Sequence, residues 1–365
     1  MGSVIAGTGI HLPDRIVTND DLARVMDVSD DWIRSRTGVG QRRFAEPGVG
    51  ASQLGAQAGL AALDDAGLTV GDIDALVTAT MTPDLFAPGI APMVQKAMGL
   101  PRIPAHDLRA QCCGFLYGLD LADALIGSGR AATVLVIGAE VHAGYHPWWR
   151  NRDYLYGESD RPPTRDEWEH NTRNRSWSVL FGDGAGAVVL RRRDDPRSGY
   201  FGSRLWTDGE MLELIHVPGV GFRHQPWVDY AQLDAGLHLP VMDGRELFRK
   251  AVELMPEAIR AVLADHRLDV ADLDLVIAHQ ANSRIVDAVR NALGIDREAV
   301  PVNIDRYGNT TAATLPILLH EMRQEGRVRP GALVCLTAFG AGAHWGAALY
   351  REPPVGSASP DAATP

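Results

Sequence analysis

The stretch Asp107-Leu-Arg-Ala-Gln-Cys112-Cys113-Gly114-Phe115 runs from a short extended segment into a helical stripe, Phe115, Leu119, Ala122 and Ile126. That order predicts Cys112 at a helix N-terminus, where unpaired N–H groups and the helix dipole favour the nucleophilic thiolate. Gly114 permits a tight turn beside the sulfur. The competing reading is a structural cysteine buried as a small apolar residue. His279 closes the apolar run Leu273–Ala278, a setting that also suits a satisfied core histidine. Asn309, in Arg306-Tyr-Gly-Asn-Thr-Thr-Ala-Ala313, precedes another helical pattern and could serve only as an N-cap. Taken together, Cys, His and Asn at three strand ends have the make-up of a thiol-dependent acyl-transfer site.

Other chemistry is poorly supplied. Only Lys96 and Lys250 are lysines, and neither has a setting that suggests Schiff-base chemistry. Cys112, Cys113 and Cys335 form no disulfide framework and lack zinc-ligand spacing, a pattern suited to a reducing cytoplasm. His142 and His146 are four apart, but Pro147 ends any helix there and no acidic or thiol partner has ligand spacing, so no metal is expected. Gly182-Asp-Gly-Ala-Gly186 is followed by strand-like residues and so differs from the dinucleotide fingerprint.

The elements that must position these residues follow an α/β alternation. Buried strands are expected at 75–80, 132–137, 273–278 and 332–337, and helices at 53–66, 115–126, 246–263 and 283–293. A weak repeat appears at an offset of 200: Leu68-Thr-Val-Gly-Asp-Ile-Asp-Ala-Leu-Val answers Leu268-Asp-Val-Ala-Asp-Leu-Asp-Leu-Val-Ile. Gly129-Arg130 likewise answers Gly326-Arg327. This implies two similar α/β halves, one over 1–190 and one over 200–350. The repeat makes Arg306–Ala313 the counterpart of the Cys112 turn, so that Asn309 should face Cys112 across a pseudo-twofold axis.

Residues 142–175, rich in Trp, Arg and Pro without sustained period, interrupt the first half and read as a lid or interface loop. The tail 352–365 is Pro, Ala, Ser and Asp and is expected to be disordered. The chain has 365 residues, 45% hydrophobic, enough for substantial cores. Its formal charge of −11 argues against a general nucleic-acid binder. No run of eighteen apolar residues or basic leader occurs, so neither a membrane span nor a signal peptide is expected.

The sequence resembles the β-ketoacyl-acyl carrier protein synthases of type III, within the thiolase-like superfamily. The resemblance covers residues 3 to about 350. Its markers include Gly7-Thr-Gly-Ile-His-Leu-Pro13, Ser29-Asp-Asp-Trp-Ile33, Arg36-Thr-Gly38, Cys112 with Gly114-Phe115, and Phe181-Gly-Asp-Gly-Ala-Gly-Ala187. The second half adds His279-Gln-Ala-Asn282, Gly308-Asn-Thr310 and Ala338-Phe-Gly-Ala-Gly-Ala-His-Trp-Gly346. The resemblance implies a five-layered α-β-α-β-α fold with Cys112 as the acylated nucleophile and Cys113 as a spectator. It implies that His279 and Asn309 hold the enolate formed when a malonyl thioester loses CO₂. Backbone N–H groups of Cys112 and Ala341 would form a second oxyanion hole; relatives often carry Gly at the Ala341 position.

By the same resemblance, Trp32 and Arg36 bind coenzyme A, while Phe86 and Ala87 belong to a segment that a dimer mate inserts into the acyl pocket. Arg249, Lys250 and Arg284 fall where relatives present a basic patch to acyl carrier protein. A small residue at Ala87 and the long insert suggest an unusual acyl group and a specialised pathway. The implied reaction needs no cofactor: acyl-coenzyme A and malonyl thioester are substrates, acyl carrier protein a partner, and a homodimer the assembly. A rival reading moves the acyl group from Cys112 to a hydroxyl or amine with His279 as general base. Another is a non-catalytic partner subunit, which retention of Cys112, His279 and Asn309 together disfavours.

Overall fold

The computed structural model describes residues 2–193, 195 and 197–354. Its frame is a pair of sheets built to one plan. The first contains β1 (Gly2–His11), β4 (Ala75–Ala79), β5 (Ala105–Leu108), β6 (Thr133–Glu140) and β7 (Gly184–Arg193), in the order β1-β7-β6-β4-β5. The second contains β8 (Gly199–Thr207), β11 (Leu275–Ala278), β12 (Leu333–Gly340) and β13 (His344–Arg351), in the order β11-β12-β13-β8. In each, one parallel pair (β4/β6, β11/β12) is extended by an antiparallel strand (β7, β13) and then another (β1, β8).

Both sheets are covered on both faces, which is why their central strands are nearly continuous apolar runs. Between the sheets lie α5 (Gly114–Gly127) and α13 (Thr314–Gln324). Phe115 and Leu119 of α5 and Leu315 and Leu318 of α13 share one core with Val134 and Val136 of β6 and Val334 and Leu336 of β12. The alternate residues Leu135 and Ile137 face outward onto α3 (Ala51–Asp65) and α4 (Ala91–Met98). In the second sheet Cys335 and Leu349 face outward onto α10 (Gly244–Asp265) and α11 (Ser283–Leu293). The result is the five-layered α-β-α-β-α arrangement, with Cys335 in the outer core and its thiol pushed up by burial.

The offset of 200 holds residue by residue in the elements that matter. One-turn 3-10 helices span Val70–Asp72 and Val270–Asp272, and Gln111–Cys113 and Thr311–Ala313. Strands β6 and β12 begin at Thr133 and Leu333. Asp74 accepts the Thr133 N–H at 2.9 Å, as Asp274 accepts the Leu333 N–H at 2.8 Å. Gln111 and Thr311 share the same left-handed φ of 50°. This register sharpens the expectation for Asn309. The residue equivalent to Cys112 is Ala312, and Asn309 lies three residues before it.

The 142–175 segment is folded and anchored. It contains 3-10 turns at Ala143–Tyr145 and Pro147–Asn151, then α6 (Arg152–Leu155), α7 (Arg165–Arg173) and the start of α8 (Arg175–Ser178). These pieces are too short to show a helical period in sequence. They pack on α1 (Asn19–Ala23), α2 (Asp30–Thr37) and the hairpin β2 (Ile16–Thr18)/β3 (Gln41–Arg43), burying Val17, Leu22, Met26, Ile33, Phe44, Trp148 and Leu155 together. The His146 ring stacks on Trp148 at 4.6 Å. Asn171 donates to Val25 O and to Asn151 Oδ1, both at 2.9 Å.

An arm carrying β9 (Ile215–His216), α9 (Tyr230–Asp234) and β10 (Val241–Met242) joins β8 to α10, and α12 (Ile304–Tyr307) leads to the Thr311 turn. Of the tail expected at 352–365, residues 355–365 lie outside the described residues; Glu352 pairs with Arg323 at 3.0 Å.

Because Trp148 is fully buried in the insert's own core, Trp148→Ala should cost about 3–5 kcal/mol. Chemical denaturation checks this: an unchanged midpoint would mean the segment contributes no core.

Candidate active site

The C-terminal ends of the parallel strands converge, and the chemically capable residues stand there. Cys112 is the middle residue of the 3-10 turn that feeds α5, with buried Cys113 behind it donating its thiol hydrogen to His344 O at 3.1 Å. The turn rests on the last residue of β12. A Cβ placed on Gly340 would lie 2.8 Å from Cys112 Cβ and 3.1 Å from its nitrogen, so only glycine fits. The backbone N–H groups of Cys112 and Ala341 lie close enough to the sulfur to favour its thiolate. The donors expected for an oxyanion hole are therefore turned toward the nucleophile, one from each half of the molecule.

The surroundings oppose the thiolate that a helix terminus favours. Burial, reinforced by the nearby Glu140 carboxylate, pushes the Cys112 thiol up to about 12, and the two N–H groups offset this only in part. The resting residue is a thiol. Helix-terminus stabilisation was legible in the sequence; the desolvation that outweighs it was not.

His279 extends the parallel pairing one residue past β11, its N–H donating to Thr337 O at 2.8 Å. Its ring is buried, and neither Nδ1 nor Nε2 has a hydrogen-bond partner among the described residues. Burial lowers the ring to about 4, so it is neutral at pH 7 and carries one N–H donor. A buried imidazole with both nitrogens unmatched is costly unless a ligand completes it.

Asn309 is locked by a bridge to Phe181: its N–H donates to Leu180 O at 2.8 Å, and its carbonyl accepts the Gly182 N–H at 3.1 Å. Its side-chain Oδ1 accepts the Thr311 N–H at 2.9 Å, which orients the amide. The Thr311–Ala313 turn in turn lies against the Cys112 turn, for a Cβ on Gly114 would meet Ala312 Cβ at 3.5 Å.

Glu140, at the end of β6, was not anticipated as part of this region. It accepts the Thr82 hydroxyl at 2.7 Å, the Met81 N–H at 3.1 Å and the Ala312 N–H at 3.4 Å. Burial raises its carboxyl to about 7. The only sequence signal was one acidic residue closing an otherwise apolar strand.

Further out, Trp32 on α2 is flanked by two guanidinium groups, Arg36 at 4.6 Å and Arg175 at 5.0 Å from its ring centroid. Arg175 comes from the far end of the insert and no local pattern announced it. Phe86 and Ala87 are exposed on the single chain, and Phe86 packs outward on Phe222 at 4.9 Å and Trp227 at 5.6 Å. It does not fold back into a gap beside Ala87.

Arg249 and Lys250 are tied to counter-charges on their own helix. Arg249 pairs with Glu246 and, at 3.6 Å, with Glu253, while Lys250 reaches Glu253 at 3.3 Å. This face of α10 is of mixed sign, not simply basic. Arg284 lies over the Phe248 ring at 5.8 Å. A cleft of about 550 Å³ at the ends of α10 and α11, lined by Arg260, Leu268 and Leu293 among others, shares no residue with the strand-end site. Among the described residues no three His, Cys, Asp or Glu side chains are grouped to hold a metal, and no helix is long and apolar enough to cross a membrane.

Two sheets repeated about a pseudo-twofold, with a cysteine turn from one half seated on the strand end of the other, define the thiolase-like class. Sequence comparison resolves the class further. Models of 3-oxoacyl-[acyl-carrier-protein] synthase III match residues 106–159 and 168–209, and the model of its C-terminal region matches 263–352. The chain is 40% identical to β-ketoacyl-[acyl-carrier-protein] synthase III of Granulibacter bethesdensis, covering 96% of this chain and 99% of the relative. It is 42% identical to synthase III 3 of Streptomyces coelicolor, over 97% and 98% of the two chains. The crystal structure of the Aquifex aeolicus 3-oxoacyl-[acyl-carrier-protein] synthase III superposes with a TM-score of 0.81 at 39% identity, over 96% of this chain and 100% of that one. The chain belongs to the β-ketoacyl-[acyl-carrier-protein] synthase III family.

Two outcomes follow from the site geometry. Alkylation of Cys112 by iodoacetamide should accelerate about tenfold per pH unit from 7 to 9, as the thiolate fraction grows; a plateau below pH 8 would mean a preformed thiolate. Gly340→Ala should slow the same alkylation more than about tenfold, because the added methyl displaces the sulfur by a fraction of an ångström. An unaltered rate by intact-mass kinetics would contradict the close approach.

Proposed function

We propose that this protein is a decarboxylative condensing enzyme working by two half-reactions. In the first, Cys112 sulfur attacks the carbonyl of an acyl-coenzyme A. The tetrahedral oxyanion is held by the N–H groups of Cys112 and Ala341, coenzyme A leaves as its thiol with the cysteine's proton, and the acyl group stays on sulfur. In the second, a malonyl thioester on acyl carrier protein places its thioester oxygen on His279 and Asn309. Loss of CO₂ leaves an enolate on that oxygen, and its carbon attacks the acyl-Cys carbonyl to release a β-ketoacyl thioester and free Cys112.

One observation carries the second step: the buried, neutral His279 ring with neither nitrogen engaged. A neutral donor can meet developing negative charge without first forming a buried cation, and the oriented Asn309 amide supplies a companion N–H.

The surroundings support substrate assignments. Trp32 between Arg36 and Arg175 suits a purine ring and the phosphates of coenzyme A. Arg284, over the Phe248 ring of the helix that also carries Arg249 and Lys250, is the proposed landing site for acidic carrier protein. The exposed Leu85, Phe86, Phe222 and Trp227 form an apolar surface suited to a second copy of the chain, the proposed homodimer mate. A likeness to the priming β-ketosynthase of the R1128 polyketide pathway, 29% identical with a TM-score of 0.81, supports a priming role.

The test is intact-mass analysis after incubation with a panel of acyl-coenzyme A thioesters, followed by labelled malonyl thioester. An acyl adduct on Cys112 and subsequent CO₂ release are expected. An adduct without CO₂ release would favour transfer to a hydroxyl or amine, and no adduct would favour a non-catalytic role. His279→Ala and Asn309→Ala should each slow CO₂ release by about 10²–10³-fold while the acyl adduct still forms. Since the His279 ring gains a proton only near pH 4, that release should vary less than about twofold between pH 5.5 and 8 on its account. A tenfold fall by pH 5.5, abolished in His279→Asn, would contradict the neutral-donor role.

A further inference from the structure

Beyond the residues that meet substrate, we propose that His142 is a positioning residue for Asn309, acting through the Thr311 hydroxyl; this rests on the decarboxylation role given to Asn309 above. His142 lies two residues past β6, is 2% exposed, and has its ring nearly flat on Phe181 at 4.7 Å. Both ring nitrogens are engaged: Nδ1 is 3.0 Å from Gly182 O, and Nε2 is 2.8 Å from Thr311 Oγ1. A carbonyl oxygen only accepts, so Nδ1 carries the hydrogen. Burial keeps the ring neutral, so Nε2 offers a lone pair and the Thr311 hydroxyl donates to it.

These bonds close a ring of four residues. His142 Nδ1–H donates to Gly182 O; Gly182 N–H donates to Asn309 O at 3.1 Å; Thr311 N–H donates to Asn309 Oδ1 at 2.9 Å; Thr311 Oγ1–H returns to His142. The weak link is Thr311, a β-branched residue at φ 50°, a backbone region that such side chains disfavour. Its hydroxyl bond to His142 ties this turn to the buried ring, and its N–H is the group that fixes the Asn309 amide. Gly182 is required for the ring to close, since a Cβ there would lie 2.1 Å from Tyr307 O. His142 itself is pinned, its backbone N–H donating to Asp183 Oδ1 at 2.6 Å.

The ring also accounts for two motifs that substrate chemistry leaves unused. His142 closes this ring, while His146 is stacked in the insert core on Trp148. The Gly182-Asp-Gly stretch serves as a backbone clamp between two halves of the chain rather than as a phosphate loop.

The test measures the two half-reactions separately in the full-length protein. His142→Phe keeps the ring stacked on Phe181 and loses both hydrogen bonds; His142→Gln retains an acceptor and a donor. Thr311→Ala and Thr311→Ser make the same comparison at the other end. His142→Phe and Thr311→Ala should each slow CO₂ release from malonyl thioester about 10- to 30-fold, with Cys112 acylation within about twofold of wild type. Thr311→Ser should recover to within about threefold, His142→Gln should be intermediate, and the double variant should be no slower than either single. Equal loss of acylation and CO₂ release, with a lowered Tm, would reduce His142 to a core residue and overturn the proposal. Undiminished CO₂ release in both His142→Phe and Thr311→Ala would overturn it as well. A wild-type protein that acylates but releases no CO₂ would overturn the decarboxylation reading itself, and the proposal with it.

Discussion

Each half of this molecule places its strand-to-helix turn on the central strand of the other half. A Cβ on Gly138 of β6 would lie 2.3 Å from Ala312 O, and one on Gly340 of β12 would lie 2.8 Å from Cys112 Cβ. The Cys112 turn belongs to the first half and rests on the second; the Ala312 turn belongs to the second and rests on the first. Backbone approaches this close exclude every side chain but hydrogen at the contact point. The mutual seating determines where α5 and α13 enter the central layer, and hence how the two sheets align. It also leaves neither half with a complete site, because Ala341 N–H must come across to Cys112 and Glu140 must cross to hold Ala312.

The electrostatics of the site follow from that closure. Desolvation by the packed halves shifts the ionisable groups there toward their neutral forms: the Cys112 thiol upward, the His279 ring downward, the Glu140 carboxyl upward. A neutral thiol and a neutral imidazole suit a reaction in which charge gathers on a carbonyl oxygen, whether at the tetrahedral acyl carbon or in the enolate left as CO₂ departs. Preoriented N–H groups then meet that charge with little reorganisation. The charged residues stand outside, at Trp32 with its two arginines and along α10, where Arg249 and Lys250 are paired with glutamates of the same helix.

Much of the framework was legible in sequence because the physics there is local. Strands buried on both faces must be apolar runs, and the strands expected at 75–80, 132–137 and 332–337 lie within two or three residues of the observed bounds. The 273–278 strand starts at Leu275 because Leu273 still closes the preceding 3-10 turn. The repeat was visible in the Leu, Val and Asp positions that cap those turns, and its register later identified Ala312 as the partner of Cys112. The helices inside the 142–175 segment were not legible in sequence, because they are as short as four residues. No period can accumulate over that length, and its core is completed by residues more than a hundred positions away.

Residue type and order alone determined the fold class and the twofold plan and singled out the candidate acyl-transfer residues, because turn glycines, apolar periodicity and a thiol before a helix are each local in origin. Only the tertiary structure decided their state. Desolvation, not the helix terminus, sets the Cys112 thiol, since dielectric environment is a property of the assembled halves. The pairing of Trp32 with Arg175, the outward packing of Phe86 on Phe222 and Trp227, and the intrahelical neutralisation of Arg249 and Lys250 depend on which surfaces meet. So does the closed ring through His142, Gly182, Asn309 and Thr311, whose members are up to 169 residues apart and share no pattern until the chain brings them into contact.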